Sequence, residues 1–596
     1  MSIRTGFCAV ALLALAARAA GAPAAPDAPA GPAVQARVEK IAYPVRRGPA
    51  PAGAADVKPN PNLAGKATYT TDAVVLENEY VRVTVLPEFG ARLARVTFKK
   101  PGRDLFWVND TLEDAPPWAM GGMRFSFPLP DGGRHMDEAA GWRLVRGADG
   151  SATVAMDMRF TQYKGETGRY GRFSALRQAT FVTLRPGVAA VEYTARLDNP
   201  LPLRHGFRLW SVAQFPRQEG AAVLFPAGTV TDAAATKAQP WPVFDDVDHG
   251  RLGAWGASCF AVDVQGDWAG VYYADADANH LVLRPRYTAP GTGLRVAEGD
   301  GPVEVCLGSN PTPEHPGHYL QPFGTYVMPL KLTMPTGIGR VQWASESVAA
   351  SYEPSERGGT IRVVSPERRP GCRLMVRTSA ETVKTTATLG PDTPVVLELT
   401  QPAKTVLLTV IDADDNELAE AALPWQPRPA PDEAFAALAK EMRPWTWLAM
   451  ELADWPHDRQ PGIADAAAAL TARLGTDAIE PLLNAARVVM RTEAPGSARW
   501  QSVRSRLAFA AGRLPEHRPA QAYLGTMLTL EAGGKVTPEA ARCLAAATRV
   551  PAGHYLAALD ALATGKAVKA VSHLKRCASE PPPVAMGLGQ DPLEGN

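Results

Sequence analysis

The sequence predicts a multidomain, mostly β protein: a large antiparallel β-sandwich, a smaller β-sandwich, and a C-terminal α-helical repeat region. Three observations lead there. Residues 67–345 and 346–425 carry short runs of alternating apolar and polar residues, separated by turns rich in Gly and Pro, the period-two mark of half-buried strands. After the hinge Pro424-Trp425-Gln426-Pro427-Arg428-Pro429 the composition shifts to Ala, Leu, Arg and Glu, and the apolar spacing becomes helical. The chain has 596 residues, room for about three or four domains of roughly 100–200 residues each.

Each element follows in order. Met1-Ser2-Ile3-Arg4 precedes an apolar run from Phe7 to Ala17, and small residues around Ala17-Arg18-Ala19 and Ala20-Gly21-Ala22 offer cleavage points. A basic start, an apolar middle and a small-residue exit predict a signal peptide over 1–21, hence export to the periplasm or beyond. Residues 22–66, rich in Ala, Pro and Gly, read as a linker. Alternation then begins in Glu79-Tyr80-Val81-Arg82-Val83-Thr84-Val85, with the three valines on one side. Leu93–Phe98, Ala152–Met158, Ala179–Leu184, Ala189–Leu197, Cys259–Val264, Ala269–Tyr273 and Val303–Leu307 continue the pattern. Strands without intervening helices predict a large antiparallel sandwich over 67–345.

In 346–425 the runs Thr360–Val364, Arg373–Arg377, Val395–Leu399 and Thr405–Ile411 predict a small immunoglobulin-like sandwich. Over 430–580, Phe435, Leu438 and Met442 share one helical face, and His554, Ala558 and Ala561 another. Gly565 breaks that last helix, Ala570, Leu574 and Cys577 line the next, and Pro582 ends it. A helix pair with small residues at its crossing resembles one tetratricopeptide repeat, which would either bind a protein partner or buttress the sandwich. Residues 581–596 read as a disordered tail.

Composition excludes several functions. Lys plus Arg total 62 and Asp plus Glu 61, a net charge of +1, which gives no basic field for nucleic acid. Beyond the leader no stretch is long and apolar enough to be a transmembrane segment. Export leaves Cys259, Cys306, Cys372, Cys543 and Cys577, widely spaced and odd in number; they read as small core residues rather than a disulfide framework or a metal site. Asp245-Asp246-Val247-Asp248-His249 lacks the spacing of a calcium loop and reads as a solvated loop. No dinucleotide fingerprint, phosphate loop, zinc-protease or nucleophile-elbow motif is present, and no cofactor is predicted.

A family resemblance rests on Leu76-Glu77-Asn78-Glu79-Tyr80-Val81-Arg82-Val83-Thr84-Val85-Leu86-Pro87-Glu88-Phe89-Gly90-Ala91-Arg92, then Gly102-Arg103-Asp104-Leu105-Phe106-Trp107. Gly121-Gly122-Met123-Arg124-Phe125-Ser126-Phe127-Pro128, Leu197-Asp198-Asn199-Pro200-Leu201-Pro202 and Asp267-Trp268-Ala269-Gly270-Val271-Tyr272 follow in order. With Val303-Glu304-Val305 and Leu320-Gln321-Pro322-Phe323-Gly324, these segments resemble the galactose-mutarotase-like (aldose-epimerase-like) supersandwich. The likeness is closest to a bacterial branch that carries tetratricopeptide-like repeats behind the sandwich. It covers about residues 67–345 and implies a saccharide ligand.

Mutarotation requires a base for the anomeric hydroxyl and an acid for the ring oxygen. By the resemblance, Glu304 is the candidate base, and His205 and His135 are the candidate acids. Glu304 sits between two apolar strand residues, where it either points inward or faces solvent. His205 is either the acid or an ordinary strand histidine, since the family's polar position falls nearer Val212. Arg124, where relatives often carry a glutamate, supplies planar donors for a carboxylate or hydroxyls and cannot be a base. Arg92, Trp107 and Trp210 complete the expected binding set, with Trp118 and Trp241 as further aromatics, either stacking on a sugar or packing in the core. Two functions stay open: an exported carbohydrate-binding protein, active as an epimerase or on glycosides, and a non-catalytic glycan-binding or scaffolding protein whose repeats bind protein partners.

Overall fold

The computed structural model describes residues 32–46, 63, 65–113, 121–126, 139–159, 176–202, 205–231, 238–244, 246–251, 258–262, 264, 266–284, 291–296, 301–309, 318–320 and 323–425. In the C-terminal part it describes 482–483, 485–486, 489–490, 493–513, 515, 517–547, 551–566, 569–570 and 573. The predicted signal peptide, Trp118, His135, the helix around Phe435–Met442, Leu574, Cys577 and the tail lie outside the described residues.

The expected large sandwich is built from two sheets. One has thirteen strands. Its central run is Cys259–Val262, Gly291–Val296, Val303–Gly308, Trp210–Phe215, Met123–Ser126, Arg92–Phe98, Val81–Leu86 and Thr68–Glu77, each paired antiparallel with the next. The other has eight, with Ala278–Leu283, Thr325–Thr333, Ala190–Asp198, Arg177–Leu184 and Ala152–Arg159 at its middle. Alternation decides what lies between them. Val81, Val83 and Val85 are fully buried and meet Val154, Met156, Val182, Tyr193 and Leu330 from the opposite sheet in one hydrocarbon core, while Arg82 faces out.

The structure departs from the linker expectation at Gln35–Arg46, a twelve-residue strand paired with Thr68–Glu77. Its Ala- and Pro-rich surroundings masked an alternation that is only half buried, and Pro44 is tolerated near the sheet edge.

Residues 343–425 form the smaller sandwich. Trp343–Ala344, Ala349–Ser355, Gly358–Val364 and Val395–Leu399 make one sheet, and Thr382–Leu389, Arg369–Arg377, Val406–Ile411 and Glu417–Leu423 the other. Apart from the short first strand, the two sheets hold the strand sets A-B-E and C′-C-F-G of an immunoglobulin-like order. Tyr352, Ile361, Leu374, Leu397 and Leu408 fill the core. The two sandwiches are joined by apolar contact among Leu281, Leu283, Ile338, Ala349 and Val364. The Ala189 N–H also donates to the Pro366 carbonyl at 2.7 Å.

The described C-terminal helices are Ala498–Arg513, Arg518–Glu531, Pro538–Ala546 and Pro551–Ala563. Local chemistry starts two of them: His517 Nδ1 accepts from the Ala520 N–H and Thr537 Oγ1 from the Ala540 N–H, each at 3.2 Å, with proline in the first turn. Gly525 sits where a Cβ would collide with Leu556 and Cys543, so the helices approach closely there. His554, Ala558 and Ala561 are buried, as their spacing predicts. Among the described residues no helix is long and apolar enough to cross a membrane.

Candidate functional site

The thirteen-stranded sheet turns one face to the core, and the alternate residues of its central strands form the other. Met123 and Phe125 point into the core, so Arg124 lies on the outer face. By the same alternation Trp210, Val212 and Gln214 share that face with Glu304 and Cys306. The register then sets the neighbours. Val212 stands between Arg124 and Cys306, and Glu304 stands between Gln214 and Arg295.

Backbone geometry fixes this patch. Gly121 and Gly122 both have φ of +77°, and a Cβ on either would collide with a carbonyl, of Trp107 or of Leu93. Glycine therefore lets the chain enter the sheet at Met123. Gly122 N–H donates to Trp107 O at 2.9 Å, Trp107 N–H to Gln214 O at 2.7 Å, and Gln214 N–H to Gly122 O at 2.9 Å. This closed set of backbone bonds holds Gln214 beside the Arg124 strand.

Glu304 is 7% exposed. Its Oε1 accepts from Gln214 Nε2 at 2.9 Å and lies 3.8 Å from Arg124 Nη2, while its Oε2 lies 3.5 Å from Arg295 Nη1. The Arg124 side chain is 2% exposed and that of Arg295 28%, so one guanidinium is interior and the other reaches solvent. Burial pulls the Arg124 guanidinium below its ordinary value and Glu304 opposes that pull; arginine stays cationic near neutrality. The arrangement offers an acceptor pair and two donor forks, the kit for binding vicinal hydroxyls or a carboxylate.

Of the residues expected at the site, the structure brings Glu304 and Arg124 together. Arg92 is fully buried and its Nη1 donates to the Gly121 carbonyl at 2.7 Å, which supports the turn beneath Arg124. From the opposite sheet, Tyr193 stacks on Phe125 with ring centroids 4.5 Å apart. Burial raises the Tyr193 hydroxyl's pKa, against the pull of Arg92 and Arg124. Trp107 is half-buried and joins the site through its backbone. Trp210 is fully buried, edge-on to Phe260 at 5.8 Å, in an outer-face apolar cluster with Val212 and Cys306. Trp241 packs against Phe225 at 5.5 Å. His205 begins the strand His205–Phe207, which pairs with His318–Leu320 in a separate two-stranded sheet; its side chain lies outside the described residues.

Sequence reasoning missed Gln214 and Arg295. Gln214 alternates with Trp210 and Val212, and Arg295 with Gly291 and Gly293, so strand periodicity alone places each on the outer face once its strand is recognised. In the acidic segment, Asp248 Oδ1 accepts from Gly250 N–H at 3.0 Å and its carboxylate pairs with Arg251 at 3.3 Å. Among the described residues no group of three or more potential ligands gathers around a metal position.

Fold and site together define a two-sandwich protein with a polar cluster on the outer face of its long sheet and C-terminal helices following in the chain. A family model described as Domain of unknown function (DUF5107) matches residues 63–298. Among solved structures, the chain is similar to a galactose mutarotase-like protein from Clostridium acetobutylicum, at 12% identity over 45% of this chain and 96% of that one, with a TM-score of 0.37. It is also similar to a TPR-domain containing protein from Parabacteroides distasonis, at 14% identity over 93% of both chains and a TM-score of 0.43. A protein from Synechocystis sp. PCC 6803 matches at 13% identity over 44% of this chain and 96% of that one, with a TM-score of 0.36.

Proposed function

We propose that this is an exported saccharide-binding protein whose ligand sits on the outer face of the long sheet, against Glu304, Arg124, Arg295 and Gln214. The carrying observation is the buried Glu304 carboxylate with an amide and two guanidiniums converging on it. A buried charge cluster costs desolvation that hydrocarbon would not, and its donors and acceptors match polyol hydroxyls. The leader-like N-terminus and the galactose-mutarotase-like segments support the same reading.

If the protein turns over its sugar, the anomeric hydroxyl gives its proton to Glu304 while His205 or His135 protonates the ring oxygen. The bond from the anomeric carbon to that oxygen breaks, and closure on the other face reverses both transfers. Glu304's described partners are one amide and two guanidiniums, which favours recognition over proton transfer, so binding is the primary function. The second reading, a scaffold that meets protein partners through its helices, is supported by the exposed Phe509, Leu530 and Leu562.

The test is a glycan array probed with the mature protein and with Glu304→Gln, alongside polarimetry on any aldose bound. Binding that drops in the variant supports the proposal. A wild-type protein that binds no saccharide overturns it, and equal mutarotation by both proteins removes Glu304 from any catalysis.

A further inference from the structure

The eight-stranded sheet of the large sandwich ends on the strand Gly141–Arg146, which is paired on one side with Ala152–Arg159. Gly147 N–H donates to Ser151 O at 2.9 Å in the same register. By antiparallel alternation, Gly141, Arg143 and Val145 therefore bond that neighbour. Trp142, Leu144 and Arg146 aim their backbone N–H and C=O groups the other way, where no described residue pairs with them. Leu144 packs on the core, so Trp142 is on the core side and Arg143 and Val145 are on the outer side. Trp142 is 38% exposed and Val145 44%.

The strand Gln35–Arg46 borders the same open end of the sandwich, where the Arg146 guanidinium donates to the Val34 and Ala36 carbonyls at 3.4 and 3.2 Å. That strand carries Lys40 and Pro44, residue types that blunt a sheet edge. Gly141–Arg146 has neither lysine nor proline and keeps an exposed tryptophan.

We propose that Gly141–Arg146 pairs antiparallel with the same strand of a second copy of this chain, about a twofold axis at Leu144, and joins the two eight-stranded sheets into one. The residue pattern selects that register. The two longest symmetric overlaps centre on Arg143 or on Leu144. Centring on Arg143 sets it directly opposite the partner's Arg143, and like charges so placed are destabilising. Centring on Leu144 packs leucine on leucine, lays Trp142 beside the partner's Arg146, and sets Arg143 opposite the partner's Val145. No like charges are then opposed, and the guanidinium carried on an alkyl stem suits the indole face. So short a strand covers less than the roughly 1,200–2,000 Å² of a stable interface, so the association is expected to be reversible and micromolar.

Sedimentation velocity of the full-length protein across the micromolar range tests this, and wild type should pass reversibly from monomer to dimer. Val145 is exposed, so substitutions there leave the fold intact. Val145→Glu sets a carboxylate opposite the partner's Arg143 twice per dimer. It should tighten association roughly 2- to 30-fold, the effect of two opposite-charge cross-strand pairs. Val145→Lys opposes like charges and should loosen association by a similar factor. Hydrogen-exchange protection of the Trp142 and Leu144 amides should rise with concentration. A wild type that stays monomeric throughout overturns the proposal. So does a dimer whose affinity neither variant moves, or one that leaves those two amides unprotected.

Discussion

The two sandwiches of this chain lie against each other and differ in what they bury. The smaller one fills its interior with Tyr352, Ile361, Leu374, Leu397 and Leu408, and its buried polar residues among those described are the uncharged Ser351, Ser365 and Thr409. The larger one buries Arg92, Arg124, Arg284, Glu304, Gln214 and His280. A β-sandwich therefore does not need interior charge in order to stand, because its neighbour stands without it. Each buried ion costs several kcal/mol of desolvation before its partners compensate, so the Glu304–Arg124 pair, held on the outer face of the thirteen-stranded sheet, is where the proposed binding function would offset that cost.

The sharpest way to break this contrast is Glu304→Leu. Removing one member of a buried pair strands the other, and the expected loss is about 3–5 kcal/mol in urea unfolding. Adding Arg124→Met should restore most of it, since a hydrocarbon pair of similar volume replaces a buried ion pair at little cost. A double variant as unstable as the single one would mean that the two residues are not coupled. In the smaller sandwich, Leu374→Ala should lose about 2–5 kcal/mol through its cavity and leave the proposed saccharide binding unchanged.

His280 sharpens the contrast through pH. Its Nδ1–H donates to the Leu105 carbonyl at 2.6 Å, and its ring packs on Tyr273 with centroids 4.5 Å apart. Burial lowers its pKa from 6.5 to about 3. Below pH 6.5 the unfolded chain takes up a proton that the native histidine refuses until about pH 3, so stability falls as pH drops across that window. The histidine contributes up to about 1.4 kcal/mol per pH unit there, and His280→Phe should flatten the acid limb by that slope. Urea unfolding of both proteins across the window measures the difference. The smallest expected effect is at Gly308, where a Cβ would strike the Trp210 ring. Gly308→Ala should cost about 1–3 kcal/mol of overpacking by thermal unfolding, and no loss at all would mean that the indole has room to move.

Much of the frame was legible in the sequence because burial there follows a simple period. Val81, Val83 and Val85 announce their strand, and Val303 and Val305 bracket Glu304 so plainly that its strand needs no partner to be recognised. The strand Gln35–Arg46 was hidden because its alternation is shallow and its surroundings are Ala and Pro. The site was half legible. Glu304 and Arg124 stand in recognisable segments, but Gln214 meets Glu304 across 90 residues of sequence, and that meeting depends on register, which no local pattern records. Arg295 sits among glycines, where alternation leaves no apolar trace.

One titration bears most directly on the claim that the charged outer face is a binding surface. The saccharide selected by the array is titrated calorimetrically into wild type, Glu304→Gln and Leu374→Ala. The prediction is an affinity that falls at least about tenfold in Glu304→Gln, the loss of one charged hydrogen bond of about 1.5–3 kcal/mol, and holds in Leu374→Ala. Equal affinity in wild type and Glu304→Gln would contradict it.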